Sequence, residues 1–370
     1  MSEAVINLGR WFFRFTFFSR SESQAAVQRL PLIDWVKALA AQAIVLHHLA
    51  LYGPMARVAG DRYANLVSVF YEYGLLAVQA FLVVGGFLAV RGLAPEGRLN
   101  TKTPLDMVWK RYQRLVPPFA VALVLAVLGS WLASRWMNDA SLIEVGSIKE
   151  MAHRFGTHLV LLHNILGADA LTAGVWYVAI DFQLFAILLG TLWLSERCYQ
   201  LKIKALPWAE ILVFTAMLLS LLVFNRNPDL DVWGIYFVGS YGLGAMAYWV
   251  SKRGNNALML TVVLAAFLAL AVEFRLRIAV AVVVAMLLMW VSQQESWLHR
   301  LRSRLVGFLS KISYGTFLIH FPICLLVNAF FERFVQHKPS FALFGLFVAW
   351  MLSIAAGALF ERWVEQPLRG

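Results

Sequence analysis

Apolar runs of membrane-spanning length recur along the whole 370-residue chain, and they constrain its fold more than any other feature. A helix needs about 20 apolar residues to cross a bilayer. Ten runs approach that length: residues 31–52, 66–90, 115–134, 172–194, 208–225, 232–250, 257–273, 278–292, 313–331 and 341–360. Backbone groups in lipid must be satisfied within the segment, which favours helices for such runs. Composition agrees. Hydrophobic residues make up 61% of the chain and charged residues 14%, against roughly 45–50% and 25% in soluble domains. The expected fold is an all-α, polytopic membrane helical bundle of about ten spans. Residues 31–370 form its membrane domain, and 1–30 a cytoplasmic segment. The run 157–167 is too short to cross and is expected to be interfacial or re-entrant.

The net charge of +11 fits topology better than nucleic-acid binding, because cytoplasmic loops accumulate Lys and Arg. With the N-terminus cytoplasmic, that side carries 21 of the 32 basic residues and the opposite side 10, while Lys37 lies within a span. Both termini are therefore expected in the cytoplasm. No basic stripe interleaved with aromatics lies outside the membrane stretches, which excludes nucleic acid as a partner. Residues 7–20, NLGRWFFRFTFFSR, read as an interfacial helix on the inner leaflet. No cleaved signal peptide is expected, since no apolar core precedes a small-residue cleavage site. Cys198 and Cys324 lack a C-x-x-C partner, so neither a disulfide framework nor a zinc site is expected.

Ionisable groups inside spans are costly and mark candidate sites. The first span holds Asp34, Lys37, His47 and His48. Eleven residues separate Lys37 from His48, about 20° past three helical turns and about 16.5 Å along the axis. The two share a face, while His47 points about 80° away. Asp34, three residues before Lys37, can pair with it. At the mouth of the third span, Arg111 and Arg114 are i,i+3 neighbours that can fork onto phosphate oxygens. In isolation such a pair is ordinary topogenic charge. Asp181 and Gln183 interrupt the fourth span, with Lys37, His48 and His320 as available partners for the carboxylate. His320 lies deep in the ninth span, and Gly85-Gly86 permits close helix approach. There is no G-x-S-x-G, H-E-x-x-H or Walker A signature. Adjacent histidines point apart on a helix, so no metal site is expected.

In order along the chain, these pieces resemble the acyltransferase-3 family of integral membrane acyltransferases, from about residue 31 to 367. Lys37, ten residues, then His48 is similar to the family's first-span motif of Arg or Lys, ten residues, His, and Asp34 fits the same segment. Phe81 to Leu88 resembles its Gly-Phe-Leu segment, and Arg111-x-x-Arg114 its R-x-x-R. The stretch Trp176 to Phe185, including Tyr177, resembles its Trp-x-x-x-x-acid-x-Gln run. Ser313 to His320 and Glu365-x-Pro367 are similar to its two C-terminal motifs. The sequence departs from the pattern at Asp181, where Glu is usual, at Gly85, where Ser is common, and at Leu184 and Phe317, where aromatic Phe and Tyr are usual.

The resemblance implies an acyl-CoA donor, most often acetyl-CoA, and an acceptor hydroxyl on a surface or secreted glycan or glycolipid. It implies a multi-pass protein of the bacterial inner membrane. Lys37, Arg111, Arg114, Trp176, Tyr177 and His320 would serve the donor. His48 would take the acceptor's proton or carry the acyl group covalently, with Asp181 and Asp34 assisting. A second transfer step would need a separate extracytoplasmic transferase or an oligomeric partner. Two rivals stand beside this reading: a glycan or lipid transporter or flippase using the same buried charges, and a membrane acyltransferase of another type centred on His163-Asn164.

Overall fold

The computed structural model describes residues 30–144, 146–201, 206–291 and 301–369, so the expected interfacial helix at 7–20 lies outside the described residues. Among the described residues every regular element is helical. In chain order they are α1 (Pro31–Leu51), α2 (Pro54–Tyr73), α3 (Ala77–Leu93), α4 (Pro104–Ala133), α5 (Ile148–Leu159), α6 (Val175–Gln200), α7 (Trp208–Leu222), α8 (Gly234–Arg253), α9 (Asn256–Val272), α10 (Leu276–Val291), α11 (Arg304–Lys311), α12 (Ser313–Phe334) and α13 (Pro339–Phe360). A π-helical turn, Glu361–Glu365, leads into α14 (Gln366–Arg369).

Nine of the ten apolar runs each fall largely on one helix, whereas 66–90 spans α2 and α3 across a 3-10 turn at Gly74–Leu76. Among the described residues seven helical stretches are long and apolar enough to cross a membrane: Pro31–Leu51, Pro54–Leu93, Pro104–Ala133, Val175–Gln200, Trp208–Arg226, Ser313–Phe334 and Pro339–Leu368. The apolar helices α9 and α10 are shorter, and α8 is diluted by Gly, Ser and Tyr. The short run at 157–167 is not one element. Its first residues finish the amphipathic helix α5, and the chain then turns through Leu161, whose φ is 59°.

Local chemistry sets the helix ends. Proline occupies the first turn of α1, α2, α4 and α13, where its missing N–H costs nothing. Ser147 and Glu150 form a reciprocal capping box on α5. Gly254, at φ 60°, closes α8 in the left-handed conformation a C-terminal glycine suits.

Contacts between the ends give the bundle two faces. On the proximal face, where α1 begins, Ser310 donates to Asp34, Trp35 Nε1 to the Leu301 carbonyl and Trp249 Nε1 to that of Ala94. Arg98 pairs with Glu196 and Arg253 with Glu210 there. On the distal face, Arg57 meets Asp139 and Arg226 meets Glu273. Helices α3 and α8 cross where Gly86 faces the Tyr241 carbonyl and Gly244 faces that of Val83. A Cβ at either glycine would land on the opposing backbone, so this approach requires both glycines.

Candidate active site

His48 and His320 meet in the interior, 4% and 0% exposed. His48 Nδ1 lies 2.8 Å from His320 Nε2, and His320 Nδ1 lies 2.6 Å from the Phe317 carbonyl oxygen. A carbonyl only accepts, so His320 Nδ1 carries the proton and its Nε2 holds a lone pair. His48 Nδ1 must then donate to it, which leaves the lone pair of His48 on Nε2. Among the described residues Nε2 has no hydrogen-bond partner. The adjacent ring carbon Cε1 faces Gly174, the N-cap of α6, where a Cβ would stand 3.4 Å away. His47 points elsewhere, as the helix geometry requires, and its Nδ1 donates to the carbonyls of Phe70 and Tyr71 at 3.2 and 2.9 Å.

A cavity of about 290 Å³ runs from the proximal face along the Lys37–Ile44 stripe of α1, ending one helical turn short of His48. Lys37, Arg111, Arg114 and Lys311 line it, opposed by two carboxylates, Asp181 and Glu365. Its inner end is closed by Phe81, Tyr177 and Phe317. The positive excess suits an anionic ligand. The Arg111 Nε–H is buried with no acceptor among the described residues, so the cavity wall carries a donor whose satisfaction requires a ligand or water.

Spacing along the chain offered Asp181 the partners Lys37, His48 and His320. Its partner is Arg111, at 2.5 Å, and the guanidinium also lies over the Phe185 ring, 5.3 Å from its centroid. The two motifs that carry these residues therefore form one unit: a carboxylate inside a span recruits Arg111 of R-x-x-R, while Arg114 lines the same cavity. Asp34 is also placed differently from the sequence expectation. It accepts from Ser310 at 2.7 Å, lines a separate proximal cavity with 301–308, and lies about 21 Å from His48 along the helix axis. His320 contacts His48 rather than the basic cavity. Trp176 is turned away from that cavity as well, stacking on Phe237 in a distal one of about 490 Å³. Tyr177, the next residue, faces the basic cavity.

His163 stands apart from this cluster. It stacks on His158 at 4.1 Å between ring centroids. Burial, reinforced by the neighbouring His158, brings its pKa down to about 3. Burial likewise lowers His158. Asn164 lines the distal cavity, so the adjacent pair does not form a joint site.

Sequence reasoning passed over Lys311 and Tyr241. Lys311 carries no motif, only its position just before α12. Tyr241 packs against Gly85, where a Cβ would come within 3.0 Å of its ring; the small residue at 85 was the available signal. Tyr314 and Glu365 were legible, as members of the two C-terminal motifs.

The family model described as an acyltransferase domain, that of the acyltransferase-3 family, matches residues 30–359. Comparison with curated proteins and with solved structures gave no match.

Proposed function

The chain belongs to the acyltransferase-3 family, and from that premise we propose that it moves an acetyl group from cytoplasmic acetyl-CoA to a hydroxyl of a surface or secreted glycan or glycolipid. In this reading it sits in the bacterial inner membrane with both termini cytoplasmic, so that the proximal face is the donor face. The observation that carries the reading is the Phe317–His320–His48 hydrogen-bond chain, which leaves the His48 Nε2 lone pair between the basic cavity and the distal face.

The four cations of that cavity supply charge for donor phosphates, and Arg114 offers the planar fork that phosphate geometry favours. Arg111 is held by Asp181, which orients its remaining N–H groups into the cavity. At about 290 Å³ the cavity has room for an acyl-pantetheine arm, with the nucleotide nearer the proximal mouth. His48 Nε2 accepts the proton of the acceptor hydroxyl as its oxygen bonds to the acyl carbon. The C–S bond breaks, and the departing thiolate takes up the proton that His48 received. His320 holds the His48 tautomer, a positioning role like that of the third member of a catalytic triad.

The test uses the full chain in proteoliposomes with acetyl-CoA on the proximal side. Release of the CoA thiol that depends on added polysaccharide, with base-labile acetate appearing on that polysaccharide, is the expected result. A transporter would move the glycan and release no thiol. That outcome would end the transferase reading.

A further inference from the structure

None of the four cations of the basic cavity lines the distal cavity, and its walls have a chemistry of their own. It is built from the last turn of α2, the distal ends of α3, α6, α8 and α10, and the turns between elements. Trp176, Tyr236 and Phe237 give it aromatic surface, and Glu72, Asp231 and Arg277 its charge. The amides of Gln79 and Asn164 add neutral polar groups. Two carboxylates face one guanidinium, the reverse of the basic cavity. Arg277 is already engaged, lying 4.8 Å from the Tyr236 ring centroid and donating to the Asn225 carbonyl at 3.2 Å. Gln79 accepts from Ser240 at 2.6 Å, so its NH₂ group remains to donate. Such walls disfavour a phosphate and suit a neutral polyol: aromatic faces cover the apolar face of a sugar ring, while carboxylates and amides bond its hydroxyls.

The two cavities approach each other at one place. On α6, Trp176 faces the distal cavity and Tyr177 the basic one. On α3, Gln79 faces the distal cavity and Phe81 the basic one. The Phe81 and Tyr177 rings, 6.0 Å apart, belong to the partition. Gly174, two residues before Trp176, packs beside the open side of the His48 ring.

We infer that the distal cavity is the acceptor site, that it takes a neutral sugar ring on the Trp176–Phe237 stack with Glu72 and Asp231 bonding its hydroxyls, and that it directs one hydroxyl past Gly174 to His48 Nε2. This rests on the acyltransferase reading above and assigns the acceptor half of that reaction to residues outside the donor cavity. The transfer itself is the exchange already described: the acceptor O–C bond forms, the thioester C–S bond breaks, and the proton passes through His48 to the thiolate.

The experiment measures both Michaelis constants in proteoliposomes. The donor probe is acetyl-CoA, and the acceptor probe is the surface polysaccharide of the producing cells, freed of esters by mild base. Glu72 and Asp231 are exposed residues, so the Glu72→Gln/Asp231→Asn double variant keeps the fold. It should raise KM for polysaccharide at least fivefold and leave KM for acetyl-CoA within twofold. A second variant, Val232→Cys, should lose at least nine-tenths of transfer when a membrane-impermeant thiosulfonate is added from the distal side, while still binding radiolabelled acetyl-CoA. An unchanged acceptor KM, an equal shift in the donor KM, or full transfer by the blocked Cys variant would overturn the assignment. If wild-type protein binds acetyl-CoA but esterifies no polysaccharide, the glycan reading itself fails and takes this occupant with it.

Discussion

Replacing His320 by Leu removes the acceptor that fixes the His48 tautomer while keeping an apolar side chain of comparable reach. The Nδ1–H of His48 now donates to His320 Nε2 over 2.8 Å. Without that acceptor the group is buried and unpaired, which costs about 1–3 kcal/mol. The imidazole escapes the cost by moving its proton to Nε2, and then it has no lone pair to offer the acceptor hydroxyl. The productive form loses ground by the same free energy, so kcat should fall about 5- to 150-fold at about 1.4 kcal/mol per tenfold. KM for acetyl-CoA should stay within twofold, because His320 does not line the basic cavity. His320→Gln should recover part of the loss, since its side-chain carbonyl can accept from Nδ1. The assay is thiol release from acetyl-CoA in the presence of polysaccharide, normalised to membrane-inserted protein. Combining His320→Leu with His48→Ala should be no worse than His48→Ala alone, as expected of groups that act as one unit. Multiplying losses in the double variant would refute the relay, as would an unimpaired His320→Leu.

Other perturbations probe the remaining parts. Arg111→Ala strands the Asp181 carboxylate, and breaking a buried pair from one side costs about 3–5 kcal/mol. Its level in the membrane should drop, and adding Asp181→Asn should restore the protein but not donor binding; equal levels in all three would contradict a structural pair. Arg114→Ala should weaken acetyl-CoA binding with little effect on protein level, and wild-type binding should weaken as salt rises, because exposed charge is screened. Unchanged affinity would reduce Arg114 to topogenic charge. For His163, with its pKa held down to about 3, the unfolded chain takes up a proton near pH 6.5 that the folded chain refuses. Its contribution to stability is therefore full above about pH 6.5 and is lost as pH falls toward 3. Thermal melts in detergent should show a shallower acid loss for His163→Gln than for wild type, and identical slopes would count against it.

The helical bundle was readable in the sequence because the bilayer demands long apolar runs and leaves few other folds for them. The helix-face argument on α1 was equally readable, since 100° per residue places His47 and His48 apart whatever surrounds them. Pairings between helices were not. Nothing local tells Asp181 that its cation is Arg111, 70 residues earlier, rather than Lys37 or His48; that choice depends on how α4 and α6 pack. Trp176 was misplaced for a related reason. Neighbouring residues of a helix point about 100° apart, so Trp176 and Tyr177, adjacent in one motif, belong to different cavities. Asp34 showed the limit of local spacing: nothing within α1 tells that α11 brings Ser310 to it.

The central claim is that His48 is the group that activates the acceptor hydroxyl. The most direct test is mass spectrometry of surface glycans from cells carrying wild-type protein, His48→Ala or His47→Ala, each normalised to membrane-inserted protein. General-base help is typically worth about 10²–10⁴-fold in rate, so His48→Ala should lose nearly all acetyl ester. Its acetyl-CoA binding should persist. His47→Ala removes hydrogen bonds to the Phe70 and Tyr71 carbonyls and a ring contact beside His48, but not the His48–His320 bond, and should retain most of the ester. Glycans fully acetylated with His48→Ala, or bare with His47→Ala alone, would contradict the account and move the chemistry off the His48–His320 pair.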